Sequence, residues 1–124
     1  MPRLEGVVRP DGLAIEGIDT EGALKRLGGK RELYERLLRK FADKQAGTVV
    51  AVRTALASGD MAAAEREVHS LKGAASSLGA IALAEAADKA EQALKTGAQD
   101  EAALRHLEDF LGAVVSAIHS TLTE

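Results

Sequence analysis

The sequence contains no cysteine, no tryptophan and only 2% aromatic residues. Without thiols the chain forms no disulfide and performs no thiolate chemistry, which fits a reducing compartment. With so few aromatic rings, the core must be built from Leu, Val, Ile and Ala, a composition that suits closely packed helices. The net charge of -3 is too small to indicate a strongly charged partner, and we expect no binding of nucleic acid.

Long apolar segments are also absent from the sequence. The longest stretch without Asp, Glu, Lys or Arg runs from Phe110 to Thr123 and has 14 residues, whereas a membrane-spanning helix needs about 20. The N-terminus lacks the apolar region of a secretory signal. We therefore expect a cytoplasmic location and no membrane contact. The 124 residues, 46% of them hydrophobic, are enough for one domain with one core.

Apolar residues repeat with the period of amphipathic helices, and no long segment alternates as a strand does. The spacings predict helices at about 20–27, 31–57, 61–78, 81–96 and 100–122. Because the connections are short, we predict an all-α fold, an antiparallel up-down four-helix bundle with a short additional N-terminal helix. Residues 1–17 are predicted to be an arm or linker, and residues 18–124 the bundle.

The helix over 31–57 is predicted to be continuous, with a bend at most at Gly47. Asp19 and Asp60 are expected to cap the helices that follow them. Gln45 falls within an apolar stripe, where a buried amide needs a partner. We expect that partner to be a backbone group near Gly47.

His69 lies away from the apolar face of the helix predicted at 61–78. That face is formed by residues spaced three and four apart, namely Met61, Ala64, Val68, Leu71, Ala75 and Leu78. At about 100° per residue, His69 lies roughly 140° from the centre of this stripe, so its imidazole is predicted to face water. Lys72 and Gly73 follow one turn later. An exposed imidazole beside a cation and a missing side chain suits the acceptance of a phosphoryl group.

The segment from His69 to Ala80 resembles the signature of histidine-containing phosphotransfer (HPt) domains, a His, two residues, Lys-Gly and a Leu-Gly-Ala helix end. The stretches 27–41 and 55–60 resemble the family's entries into its first long helix and its histidine helix. The resemblance covers about residues 18–124. It implies a domain that relays a phosphoryl group between aspartates of two receiver domains and binds no nucleotide. Many such domains belong to hybrid sensor histidine kinases.

The resemblance also implies a role for individual side chains. His69 would be the phosphoacceptor, Lys72 would pair with phosphoryl oxygens, and Gly73 would leave room for the phosphoryl group and the incoming receiver. Ser76 would donate a hydrogen bond to a phosphoryl oxygen, and Glu91 would orient the imidazole through its inner nitrogen. Ser76 and Glu91 are equally well explained as ordinary surface residues.

The implied partners are response regulator receiver domains and a hybrid sensor histidine kinase. The receiver is expected to dock on small and charged side chains around the histidine, namely Ala62, Glu65, Arg66, Lys72, Gly73 and Ser76. We expect no cofactor and no metal in this chain, since the Mg²⁺ of the reaction belongs to the receiver. A monomer is the expected state.

Two other functions remain open at this point. The same bundle would serve as a non-catalytic scaffold that binds a receiver without transferring phosphate. It would also serve as a kinase-side domain that receives phosphate from ATP through a separate catalytic domain. The sequence has no nucleotide-binding motif, so we expect no autonomous enzyme activity.

Overall fold

The computed structural model describes residues 15–97 and 100–122, which contain helices and no strand. In chain order the helices are α1 (Thr20–Arg26), α2 (Arg31–Gln45), α3 (Thr48–Ala57), α4 (Met61–Leu78), α5 (Ile81–Lys95) and α6 (Glu101–Leu122). Helix α4 packs against α3 and α5, α5 packs against α6, and α6 closes the bundle against α2. The predicted all-α bundle with a short N-terminal helix is therefore confirmed.

Aliphatic side chains fill the core, as the shortage of aromatic residues predicted. Those with no exposed surface come from five of the helices, namely Leu38, Val52, Val68, Leu71, Leu83, Leu107 and Ile118. Fully buried alanines such as Ala64, Ala75 and Ala87 lie between them. Such small side chains allow neighbouring helices to approach closely, which brings α4 and α5 together along their length.

The prediction of one continuous helix over 31–57 is wrong, because the chain is interrupted at Ala46 and Gly47. Helix α2 ends with the bond from the Ala46 N–H to the Ala42 carbonyl, and α3 begins at Thr48. Glycine has a low helix propensity, and here it lies at a point where the apolar stripe contains a buried amide. The stripe continues through the break, so α2 and α3 together form one side of the bundle.

Helix α4 has well-defined ends. The Asp60 carboxylate accepts a hydrogen bond from the Ala63 N–H at 3.0 Å, which is the predicted N-cap. Gly79 ends the helix in the left-handed region, with φ of 89°. Its carbonyl accepts a bond from the Asp19 N–H at 2.8 Å, which joins the start of α1 to the end of α4.

Most of the predicted N-terminal arm, residues 1–14, lies outside the described residues. Ile15, near the end of that arm, is buried in the core, and Gly17 lies close to Val114 of α6. Among the described helices, none combines the length and apolar character that crossing a membrane requires.

Candidate functional site

His69 stands on the solvent side of α4. Its side chain is 69% exposed, while the adjacent Val68 is fully buried and Leu71 also faces the core. The exposure that the helical spacing predicted is thus observed. An imidazole in this position is accessible to a macromolecular partner without any unfolding of the bundle.

Glu91 of α5 holds the inner nitrogen of this imidazole. Its Oε2 lies 2.9 Å from Nδ1 of His69, which is hydrogen-bond distance. The glutamate side chain is only 4% exposed, so a buried carboxylate anchors an exposed ring. When Nδ1 carries the ring proton and donates a hydrogen bond to Glu91, the lone pair is on Nε2.

Three basic or nitrogen-bearing side chains surround the Glu91 carboxylate. Oε1 lies 2.8 Å from the Lys72 ammonium, and Oε2 lies 3.6 Å from that of Lys95. The pKa of Glu91 is lowered, first by Lys72 and then by His69, against the opposing effect of burial. The carboxylate is therefore ionised at neutral pH and can stabilise positive charge on the imidazole.

Lys72 is held by two carboxylates of α5. Besides the ion pair with Glu91, its ammonium donates a hydrogen bond to Oδ1 of Asp88 at 3.2 Å. The contact with Glu91 is closer but lacks hydrogen-bond alignment, since Oε1 accepts no aligned bond from the described part of the chain. These carboxylates, Glu91 most of all, raise the pKa of Lys72, so it remains a cation next to the histidine.

Asp88 was missed by the sequence analysis. It precedes Glu91 by three residues and so lies on the same face of α5. That spacing was the available signal. Pairing with Lys72, however, depends on the register between α4 and α5, which spacing within one helix does not reveal.

Gly73 and Ser76 are exposed on α4 and line a shallow groove between α4 and α5. A Cβ built on Gly73 meets no heavy atom within 4 Å. The Ser76 carbonyl accepts a long contact, 3.5 Å, from the Arg26 guanidinium. Lys72 and Asp88 line the same groove, so Ser76 shares a surface with Lys72. Its role stays a prediction.

The remaining patch residues lie on the other side of the histidine. Ala62, Glu65 and Arg66 line a second groove, to which His69 and Glu91 also contribute. The predicted patch is thus a continuous surface that extends to both sides of the imidazole. Its role in docking stays a prediction.

Gln45 borders this second groove. It is buried, and its Oε1 accepts a hydrogen bond from the hydroxyl of Thr48 across the α2–α3 break. The expected backbone partner is therefore wrong, because a side chain satisfies the amide oxygen. Over residues 15–97 and 100–122, no group of three or more His, Asp or Glu side chains is arranged to hold a metal ion.

Comparison with known proteins agrees with this geometry. The family model of the Hpt domain matches residues 36–120. The crystal structure of the HPT domain from a sensor hybrid histidine kinase of Shewanella superposes with a TM-score of 0.73 and 27% sequence identity, covering 87% of this chain and 97% of that one. No curated protein matches the chain. The family match over most of the bundle, together with an exposed histidine on its central helix, shows that this chain belongs to the Hpt domain family.

Proposed function

We propose that this domain is a phosphorelay intermediate that accepts a phosphoryl group from a receiver aspartate on His69 and passes it to the aspartate of another response regulator. The observation that carries the proposal is the His69–Glu91 pair, an exposed imidazole whose inner nitrogen faces a buried, ionised carboxylate at 2.9 Å. Membership of the Hpt family supports phosphotransfer in two-component signalling as the broader role.

The pair selects the nitrogen that reacts. With its proton on Nδ1 and directed at Glu91, the imidazole attacks the phosphorus of the aspartyl phosphate with the lone pair of Nε2. The N–P bond forms, the bond between phosphorus and the aspartate oxygen breaks, and the receiver recovers a free carboxylate. The ring then carries a positive charge, which Glu91 offsets. Transfer to the next receiver reverses these bond changes.

The other charged groups act on the phosphoryl oxygens. Lys72 lies one turn from His69 on a flexible stem, so its ammonium reaches the phosphoryl group once the ring is modified. The receiver supplies Mg²⁺ and most of the transfer machinery. This chain supplies the nucleophile, its orientation and a cation, which is carrier chemistry without a nucleotide site.

The setting follows from the same proposal. The partners of the domain are receiver domains, and the domain is either part of a hybrid sensor histidine kinase or a free-standing relay protein. It works as a monomer in the cytoplasm. The docking surface is the patch around His69 defined above, and the complex is transient because the receiver must leave after transfer.

We expect His69→Gln to abolish phosphate acceptance and leave the bundle folded, because the replaced side chain is exposed. The measurement is transfer from a panel of phosphorylated receiver domains with Mg²⁺ present, followed by a test for an acid-labile, base-stable phosphate. Circular dichroism checks the fold.

His119→Gln, the same substitution at an exposed histidine of α6, is the matched control and should accept phosphate as the wild type does. Acceptance by His69→Gln would refute the assignment of the nucleophile. Receiver binding without transfer to any variant, the wild type included, would favour the scaffold function instead.

A further inference from the structure

Asp88 is a half-exposed carboxylate that no sequence motif singled out. Its side chain is 50% exposed, and its Oδ1 accepts the hydrogen bond of the Lys72 ammonium at 3.2 Å. The two side chains border the groove that also contains Gly73. In the unmodified protein, Asp88 therefore holds Lys72, the cation predicted to bind phosphoryl oxygens.

The two carboxylate contacts of Lys72 differ in how readily they can change. Glu91 is 4% exposed and also bound to His69, so its position is fixed by burial and by the imidazole. Asp88 is half-exposed, and the contacts of ion pairs that water can reach are weak and readily exchanged for water or another anion. Of its two carboxylate contacts, Lys72 can therefore give up the one with Asp88 more readily.

We propose that Asp88 is a positioning residue that acts through Lys72, as the counterion that the phosphoryl group replaces. In the unmodified domain Asp88 directs the ammonium along the groove. In the phosphorylated domain the phosphoryl oxygens, with a charge close to -2, are the stronger acceptors and take Lys72 from it. This inference rests on the proposed function of His69.

A consequence is that Asp88 makes the phosphohistidine less stable than it would otherwise be. The phosphoryl group must compete for Lys72 and must also tolerate a nearby carboxylate of like charge. A carrier in a relay must release its phosphoryl group to the next receiver, and this competition favours release.

The test is the equilibrium constant for phosphoryl transfer between one receiver and this domain, measured for the wild type and Asp88→Asn. We expect Asp88→Asn to shift the balance toward phosphorylated His69 by about threefold, within the range for an exposed ion pair. This constant compares free species, so it does not depend on how tightly the receiver docks.

Glu85→Gln is the matched control. Glu85 is exposed on α5, one turn before Asp88, and the described residues provide it with no ion pair or hydrogen bond. Both substitutions remove one negative charge from the same helix. An equal shift in the two variants, or a shift toward the phosphorylated receiver in Asp88→Asn, would overturn the proposal.

A double-mutant cycle with Lys72→Gln decides whether Asp88 acts through the lysine. The effect of Asp88→Asn should disappear in the Lys72→Gln background, and its persistence there would contradict the proposal. The domain is loaded with the small donor phosphoramidate before the receiver is added, so a variant that accepts slowly from the receiver still enters the comparison. If the wild type gains no phosphate on His69 from either donor, the proposed function itself fails.

Discussion

Gly73 is an exposed residue in the middle of α4 with open space where a side chain would begin. Glycine inside a helix costs about 1 kcal/mol relative to alanine. No neighbour within the described chain requires that cost, because a Cβ at this position would meet nothing within 4 Å. We therefore expect the reason for glycine to lie in the bound state, as the room needed by the phosphoryl group and the receiver.

Gly73→Ala should raise the free energy of unfolding by about 1 kcal/mol and slow phosphate acceptance by about tenfold, since small misplacements in a reacting complex are costly. Gly112→Ala in α6 is the matched control, because its Cβ also meets nothing within 4 Å. It should give the same stabilisation and an unchanged transfer rate. Urea unfolding and single-turnover transfer measure the two effects, and equal rates in both variants would remove the partner-based explanation.

The sequence predicts the parts of the site that lie along one helix better than the parts that pair across helices. The exposure of His69 and its proximity to Lys72 follow from helical spacing alone. Glu91 was equally well explained as an ordinary surface residue, whereas it is buried among cationic partners. The contact between Lys72 and Asp88 depends on how α4 and α5 are aligned, which is a property of their packing.

The ends of the elements are set by local chemistry, and for that reason most of them could be predicted. Aspartate caps act over three residues, as at Asp60, and a left-handed glycine stops α4 at Gly79. The break between α2 and α3 was not predicted, because the apolar stripe keeps its phase through it. A buried Gln45–Thr48 hydrogen bond satisfies polar groups there, and a hydrophobic pattern does not record such a bond.

Gly79→Ala should destabilise the domain by about 3 kcal/mol, the sum of left-handed strain and a backbone clash. With φ of 89°, its Cβ would lie 2.6 Å from the Asp19 carbonyl oxygen. Gly59→Ala is the matched control, since Gly59 has φ of 78° and no heavy atom within 4 Å of its Cβ position. Gly59→Ala should lower the free energy of unfolding by only about 1 kcal/mol. Chemical denaturation measures both, and equal losses would show that the clash is relieved elsewhere.

On the scale of the whole molecule, Tyr34 links the first side of the bundle to the histidine helix. Its ring is fully buried, and its hydroxyl donates a hydrogen bond to the Leu78 carbonyl at 2.8 Å. Burial, with a smaller contribution from Asp19, raises the pKa of Tyr34 to about 12. Because the unfolded chain releases this proton more readily than the folded one, the pKa shift makes stability depend on pH in the alkaline range.

The stabilisation of the folded domain that goes with the raised pKa of Tyr34 should be present in full below pH 10.0 and be lost as the pH rises toward about 12. Tyr34→Phe should be less stable than the wild type at neutral pH by about 1 kcal/mol, since the Leu78 carbonyl loses its donor. This difference should shrink as the pH rises, and denaturation at several pH values measures it. The sequence contains one tyrosine and no tryptophan, so the tyrosinate absorbance reports this ionisation directly. A difference that is constant with pH would contradict the linkage.

The fold as a whole could be predicted because a single period dominates the sequence. Helical stripes and short turns leave few ways to bury the apolar faces, and the bundle is the arrangement that buries all of them. The burial of Ile15, in the stretch predicted as an arm, is the kind of detail that a short segment without a repeating pattern does not reveal.

The four side chains of the proposed reactive centre belong to one helical hairpin. His69 and Lys72 come from α4, Asp88 and Glu91 come from α5, and the two helices are joined only by Gly79 and Ala80. The groups proposed to carry the chemistry therefore lie in one uninterrupted stretch of sequence, and the remaining helices pack around it. We expect that grafting this hairpin onto another bundle would transfer the proposed reactive centre, while the new host determined which partners could reach it.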